Sequence, residues 1–167
     1  PILRLKEGDS ERIDFAEFQM SADPKAKFSR LLVTLAWLLL ALAIALADQG
    51  TKSLLGALIQ PGESRPIAGF FNLVHVFNRG AAFSLFADAP GWQSPFFAVI
   101  ALVASAVIVV LLFRNAAERL FCAGLALILG GALGNLWDRI TLGHVVDFLD
   151  FHALGYHWPA FNLADSA

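Results

Sequence analysis

LFCAGLALILGGALGNLW, residues 120–137, decides the fold. No charge interrupts it, and at ~1.5 Å per residue its length comes close to the ~20 residues that cross ~30 Å of hydrocarbon. Upstream, past the connector RNAAER, lies PFFAVIALVASAVIVVLLF, residues 95–113, and before that LLVTLAWLLLALAIALA, residues 31–47. Of 167 residues, 57% are hydrophobic and 16% charged, against roughly a quarter charged in a soluble domain. The bilayer is the expected solvent, and the fold a mainly α membrane protein: a helical transmembrane bundle with spans at about 31–49, 95–113 and 120–137.

The first run, preceded by Lys25, Lys27 and Arg30 and ending in Ala45-Leu46-Ala47, is also readable as a cleaved secretory signal. It exceeds the usual core of such a signal and two further spans follow it, so a retained span is the better reading. Basic residues beside the first run, and Arg114 and Arg119 in the connector, predict that these ends face the cytoplasm. Asp48 to about Ser94, and everything after Trp137, then lie outside. There PIAGFFNLVHVFNRGAAFSLF mixes β-branched and aromatic residues with Gly and Asn, which predicts a small β-rich region. Trp92 suits an interfacial anchor.

Residues 1–19 are charged, carry no long apolar run and precede the only methionine, Met20. They are expected to be a non-native or disordered extension, a genuine soluble tail being the alternative, with one domain over residues 20–167. A net charge of −2 gives no case for nucleic acid, and the single cysteine, Cys122, forms no intrachain disulfide. It reads as a small packing residue.

Beyond the third run the chain continues DRITLGHVVDFLDF and ends PAFNLADSA. Gly130, Gly131 and Gly134 let helices approach closely in lipid. Asn135, Asp138 and Arg139 place three polar groups within two turns of the outer face, as ion-pair partners for other groups or as markers of the water boundary. Asp147, inside VVDF, is predicted to be held partly protonated by burial. Asp165 sits in the similarly apolar NLADSA. Closing the loop between them costs about 2.5 kcal/mol of chain entropy, and two carboxylates brought together would share one proton. Spacing alone is a weak signal for such a pair, since acids flanking an aromatic loop are more often solvated. Asp150 is a rival for the place of Asp147. No metal motif is present: His75 and His144 are isolated, and His152 and His157 are not at helical spacing. Ser84 and Ser166 have no adjacent base.

Taken together, DQGTK from Asp48, FNRGAAFSLF from Phe77, GGALGNLWDRITLGHVVDFLDF and PAFNLADSA resemble the bacterial lipoprotein signal peptidases, signal peptidase II. The resemblance implies an intramembrane aspartyl endopeptidase of the inner membrane, inhibited by globomycin. It would cut prolipoproteins on the N-terminal side of a diacylglyceryl-modified cysteine, close to the outer face and without a cofactor. Carried over by motif, Asp147 and Asp165 correspond to the catalytic pair. Asn78, Gly80 and Arg139 correspond to the substrate pocket, and Asp48, Asn135, Asp138, Asn162 and Ala164 to supporting positions. Lipid-modified prolipoproteins and membrane lipids are the expected partners, and a monomer the expected state. The family pattern continues into a fourth span, so a fragment or a misplaced gene boundary is expected, with Asp165 close to the last residue, where chains fray unless tied down. A transport component would place acids at mid-membrane depth. A non-catalytic scaffold would be expected to have lost one acid of the pair.

Overall fold

The structure, a computed structural model, describes residues 24–80 and 91–167. The N-terminal extension, Met20, Ser84 and the AAFSLF portion of the Asn-Arg-Gly motif lie outside the described residues. Three long helices carry the chain: α1 (Pro24–Leu58), α2 (Gln93–Arg114) and α3 (Arg119–Thr141). Each contains a segment long and apolar enough to cross a membrane, Lys27–Leu58, Gln93–Arg114 and Arg119–Thr141. The protein is thus a multi-pass membrane protein with a small antiparallel sheet.

α1 departs from its predicted boundary. Its 35 residues extend about 52 Å at 1.5 Å per residue, so it continues past residue 49 to Leu58 instead of ending at the first polar group. The helix can run on because α3 supplies partners for the polar side chains of Asp48, Gln49 and Lys52. They have no need of water.

α3 is the most buried of the three and packs against both others. Ala41, Ile108, Leu112, Cys122, Ala126 and Leu129 form the core between them. Small residues set the spacing: a Cβ on Gly130 would lie 2.6 Å from Ile44 Cβ and 2.7 Å from the Ala41 carbonyl. Close backbone approach is how helices gain packing where lipid offers no hydrophobic drive. The Cys122 thiol, fully buried, donates to the Asn115 carbonyl at 3.0 Å. Outward, Leu39, Leu46, Val99, Leu102 and Ile128 are exposed, a surface suited to acyl chains rather than water.

The β-rich region predicted within residues 66–86 is present over its described part, and two further strands after residue 144, which were not predicted, join it. β1 (Ser64–Ala68), β2 (Phe71–Asn78), β3 (Val145–Ala153) and β4 (Tyr156–His157) form an antiparallel sheet in that order. Leu154 and Gly155 both have positive φ, 52° and 79°, as a two-residue hairpin turn between β3 and β4 requires. The returning strand pairs through a Leu149–Phe161 bridge. The chain then enters α4, the single turn Leu163–Ser166, which packs on α1 and α3. Trp92, half-exposed, stands just before α2 with its ring edge-on to Phe96 at 5.4 Å.

Candidate active site

Five segments meet where α3 leaves the bundle. Gly131, Gly134, Asn135 and Asp138 recur at the three- and four-residue spacing that puts them on one helical face. That face receives α1 on one side and α4 on the other. A Cβ on Gly134 would lie 2.5 Å from Asp48 Oδ2, and one on Gly131 would overlap the Ala164 carbonyl oxygen. The glycines are where the two neighbours come in.

The hairpin solves the closure problem that sequence leaves open. Phe148 N and Leu149 N donate to the Phe161 carbonyl at 3.0 and 2.8 Å, and Phe161 N returns to Leu149 at 3.0 Å. Asn162 is thereby brought beside Asp147. Its buried Nδ2 donates to Asp147 Oδ1 at 2.8 Å and to Asn135 Oδ1 at 3.1 Å. As the N-cap of α4, its Oδ1 accepts from Asp165 N at 3.0 Å, while Asp165 Oδ2 accepts from Asn162 N at 3.2 Å. This reciprocal capping, with Asn135 Nδ2 donating to Asp165 Oδ1 at 2.8 Å, ties down the residue for which fraying was expected.

Asp147 and Asp165 therefore share one set of amides. Asp147 is 2% exposed; its Oδ2 accepts from Asn78 Nδ2 at 3.1 Å. Burial first, and the Asp165 carboxylate second, push the Asp147 carboxyl up to about 7, against the opposing hydrogen bonds of Asn78 and Asn162 and the charge of Lys52. A cavity of about 420 Å³ opens beside the pair, lined by Asn78, Asn135, Arg139, Phe161, Trp158 and Asp165 among others. Asp147 is not in its wall, but is bonded to Asn78, which is.

Gly80 and Arg139 belong to the same wall. Gly80 N donates to Asn78 Oδ1 at 2.9 Å, and the Gly80 carbonyl accepts from Arg139 Nη2 at 3.1 Å. The guanidinium lies 5.6 Å from the Phe97 ring centre, in cation–π range. Its Nε is buried without a partner among the described residues. Asp138 turns away from Arg139 toward α1, pairing with Lys52 at 2.8 Å and accepting from Gln49 Nε2 at 2.8 Å and Val146 N at 3.2 Å. Asp48 accepts from Ala164 N at 3.0 Å and pairs with Lys52 at 2.7 Å.

Lys52 and Gln49 are the two members that sequence reasoning passed over. The signal was present as the four-residue spacing of Asp48 and Lys52 within DQGTK. It becomes readable only when α1 is carried beyond residue 49.

Asp150 is separated from the pair by its partners. Asn72, its direct neighbour across the sheet, donates to it at 2.8 Å, and His157 Nδ1 lies 2.9 Å from both its oxygens. Burial pushes its carboxyl up, but the hydrogen bonds from Asn72 and His157 prevail and hold it below the ordinary carboxylate value. His152 and His157, unsuited to one helical face, instead face each other across β3 and β4 with ring centres 4.8 Å apart. Among the described residues no group of three His, Cys, Asp or Glu is placed to hold a metal ion. Ser166 Oγ donates to the Asn162 carbonyl at 2.9 Å. Asp150→Asn is expected to cost about 1 kcal/mol of stability yet keep kcat within about tenfold of the wild type; a loss as deep as that of Asp147→Asn, measured side by side, would put Asp150 in the pair.

Comparison with known proteins gives this arrangement a setting. A family model described as Signal peptidase (SPase) II matches residues 40–167. The lipoprotein signal peptidase of Cupriavidus necator is 55% identical over 133 residues, covering 80% of this chain and 76% of the relative. That of Ralstonia nicotianae is 59% identical over 129 residues, covering 77% and 75%. A solved bacterial membrane enzyme superposes with a TM-score of 0.69 at 32% identity, covering 78% of this chain and 79% of its own.

Proposed function

The chain belongs to the signal peptidase II family, and from that membership we propose that it removes the signal peptide of diacylglyceryl-modified prolipoproteins, cutting N-terminal to the lipidated cysteine with Asp147 and Asp165 as a water-activating pair. The observation that carries the reading is Asn162: one buried side chain joins two acids that lie far apart in sequence. Intramembrane and interfacial acids are costly, which makes a held pair a functional one.

Asp165, in the cavity wall and bonded by Asn135 and the Asn162 amide, is the ionised member. Asp147, buried, holds the shared proton near neutrality. Water bonds to the scissile carbonyl carbon, giving its proton to Asp165, while Asp147 protonates the carbonyl oxygen. Collapse breaks the C–N bond: the proton on Asp165 passes to the cysteine nitrogen and a hydroxyl proton of the intermediate returns to Asp147. The Arg139 guanidinium, in the cavity wall and with N–H groups beyond those given to Gly80 and Asn135, is placed to donate to a substrate carbonyl. The substrate lipid stays in the outer leaflet of the inner membrane, beside the exposed apolar helix faces, and the chain acts as a monomer.

The pH dependence follows. Deprotonating Asp147 removes the acid, so kcat/KM should fall on the alkaline side with a midpoint near 7; a flat profile to pH 9 would contradict the assignment. For stability the sign is the reverse of the usual aspartate. The folded carboxyl, raised from 3.8 to about 7, binds a proton that the unfolded chain has lost. Its stabilising contribution is full below 3.8 and disappears as pH rises through 7, a change on the order of 4 kcal/mol. Thermal unfolding of Asp147→Asn should lose that slope.

The activity itself is tested by expressing the chain in membranes and following a diacylglyceryl-modified prolipoprotein by gel shift, with globomycin as the control. A globomycin-sensitive shift is expected. Folded protein that leaves the precursor unshifted would favour a non-catalytic scaffold.

A further inference from the structure

Lys52 takes no part in the proton accounting, yet it is 5% exposed. Its ammonium lies 2.7 Å from Asp48 Oδ2, 2.8 Å from Asp138 Oδ2 and 2.9 Å from Asn135 Oδ1. Three protons meet three acceptors, so the group is fully used.

The consequence falls on Asn135. An asparagine amide has two orientations that differ by a flip, and its bonding partners decide between them. Lysine only donates, so it requires the oxygen of Asn135 to face it, and Asn162 Nδ2 meets the same oxygen at 3.1 Å. The Asn135 NH₂ is then turned to Asp165 Oδ1 at 2.8 Å. Were the amide flipped, an oxygen would face Asp165, an arrangement that is favourable only if Asp165 carries the proton. The direction of one amide thus distinguishes which acid is ionised.

Resting on the peptidase reading, we propose that Lys52 is a positioning residue of the reaction: through the Asn135 amide it keeps Asp165 as the ionised, water-facing carboxylate and leaves the shared proton to Asp147. The charges around the pair are Asp48 and Lys52 from α1, and Asp138 and Arg139 from α3. Burial of the Asp147 carboxyl agrees with this division. An ion cluster serving stability alone would also need a third acceptor for the buried ammonium, but that acceptor would not have to be the amide whose other end donates to Asp165.

Two variants test this from opposite ends. Lys52→Met combined with Asp48→Asn removes the cation together with one of its carboxylates; two carboxylates and one ammonium become one carboxylate, so the cluster keeps a net charge of −1. Asn135→Ala keeps Lys52 with both of its carboxylates and removes the amide, with its bonds to Lys52, Asn162 and Asp165. Each is expected to lower kcat by about 100-fold, the cost of a small misplacement of reacting groups, with KM within about threefold of the wild type.

A second readout does not depend on cleavage. The infrared band of a protonated carboxyl, assigned by its loss in Asp147→Asn, should belong to Asp147 in the wild type at pH 6. In both variants it should shift toward Asp165, disappearing with an added Asp165→Asn. Wild-type kcat in either variant, or a band that remains with Asp147 alone in both, overturns the proposal. A wild-type chain without cleavage would refute the peptidase reading, and the infrared assignment would still decide the role of Lys52.

Discussion

Asp147→Asn and Asp165→Asn should each lower kcat for a diacylglyceryl-modified prolipoprotein by at least about 10⁴-fold, the scale seen when one member of a catalytic unit is removed. The amide is nearly isosteric and keeps one acceptor, so Asn162 can still bond to position 147 and Asn135 to position 165. Neither variant can pass a proton. The double variant should be scarcely slower than either single one, because residues acting as a unit are not additive. Single-turnover cleavage beside a thermal melt separates lost chemistry from lost fold. Residual activity within about tenfold of the wild type in either variant would remove that acid from the mechanism.

Gly131→Ala should also lower activity strongly, though residue 131 touches no reacting atom. Its new Cβ would overlap the Ala164 carbonyl oxygen, a backbone atom that can move only with α4. Shifting α4 breaks the Ala164 N bond to Asp48 and moves Asp165 away from Asn135. A displacement of about 1 Å at a reacting group costs about 100-fold in rate, and overpacking adds about 1–3 kcal/mol of destabilisation. Gly124, on the same helix, is the control. A Cβ there meets nothing within 4 Å, so Gly124→Ala should keep full activity and gain up to about 1 kcal/mol of helix stability. Equal activities of the two variants would mean that α4 is not held by this contact.

The spans were legible because lipid demands long uncharged runs, and those runs announce themselves. Gly130, Gly131 and Gly134 were legible as close-approach positions for a related reason, since helices packing in lipid need small residues, whereas the single face formed by Gly131, Gly134, Asn135 and Asp138 was not drawn from the sequence. What the sequence left open was everything that depends on who meets whom. The extent of α1 depended on α3 supplying partners for Asp48, Gln49 and Lys52, so a boundary drawn at the first polar residue fell nine residues short of Leu58. Asp147 and Asp150 look alike in sequence and are told apart by Asn162 on one side and Asn72 with His157 on the other. Asn162, a supporting position by resemblance, is the junction through which both acids communicate. Its role rests on a hairpin whose Leu149–Phe161 bridge no local pattern encodes.

The most direct test of the central claim is the identity of the bond that is cut. The chain, reconstituted in bilayers, would be given the same prolipoprotein with and without its diacylglyceryl group, and the products weighed by mass spectrometry. The expected product begins at the lipidated cysteine, forms only from the lipidated precursor and is absent with either asparagine variant. Cleavage at another bond, or equal cleavage of the unlipidated precursor, would contradict the reading of this site as a lipoprotein signal peptidase centre.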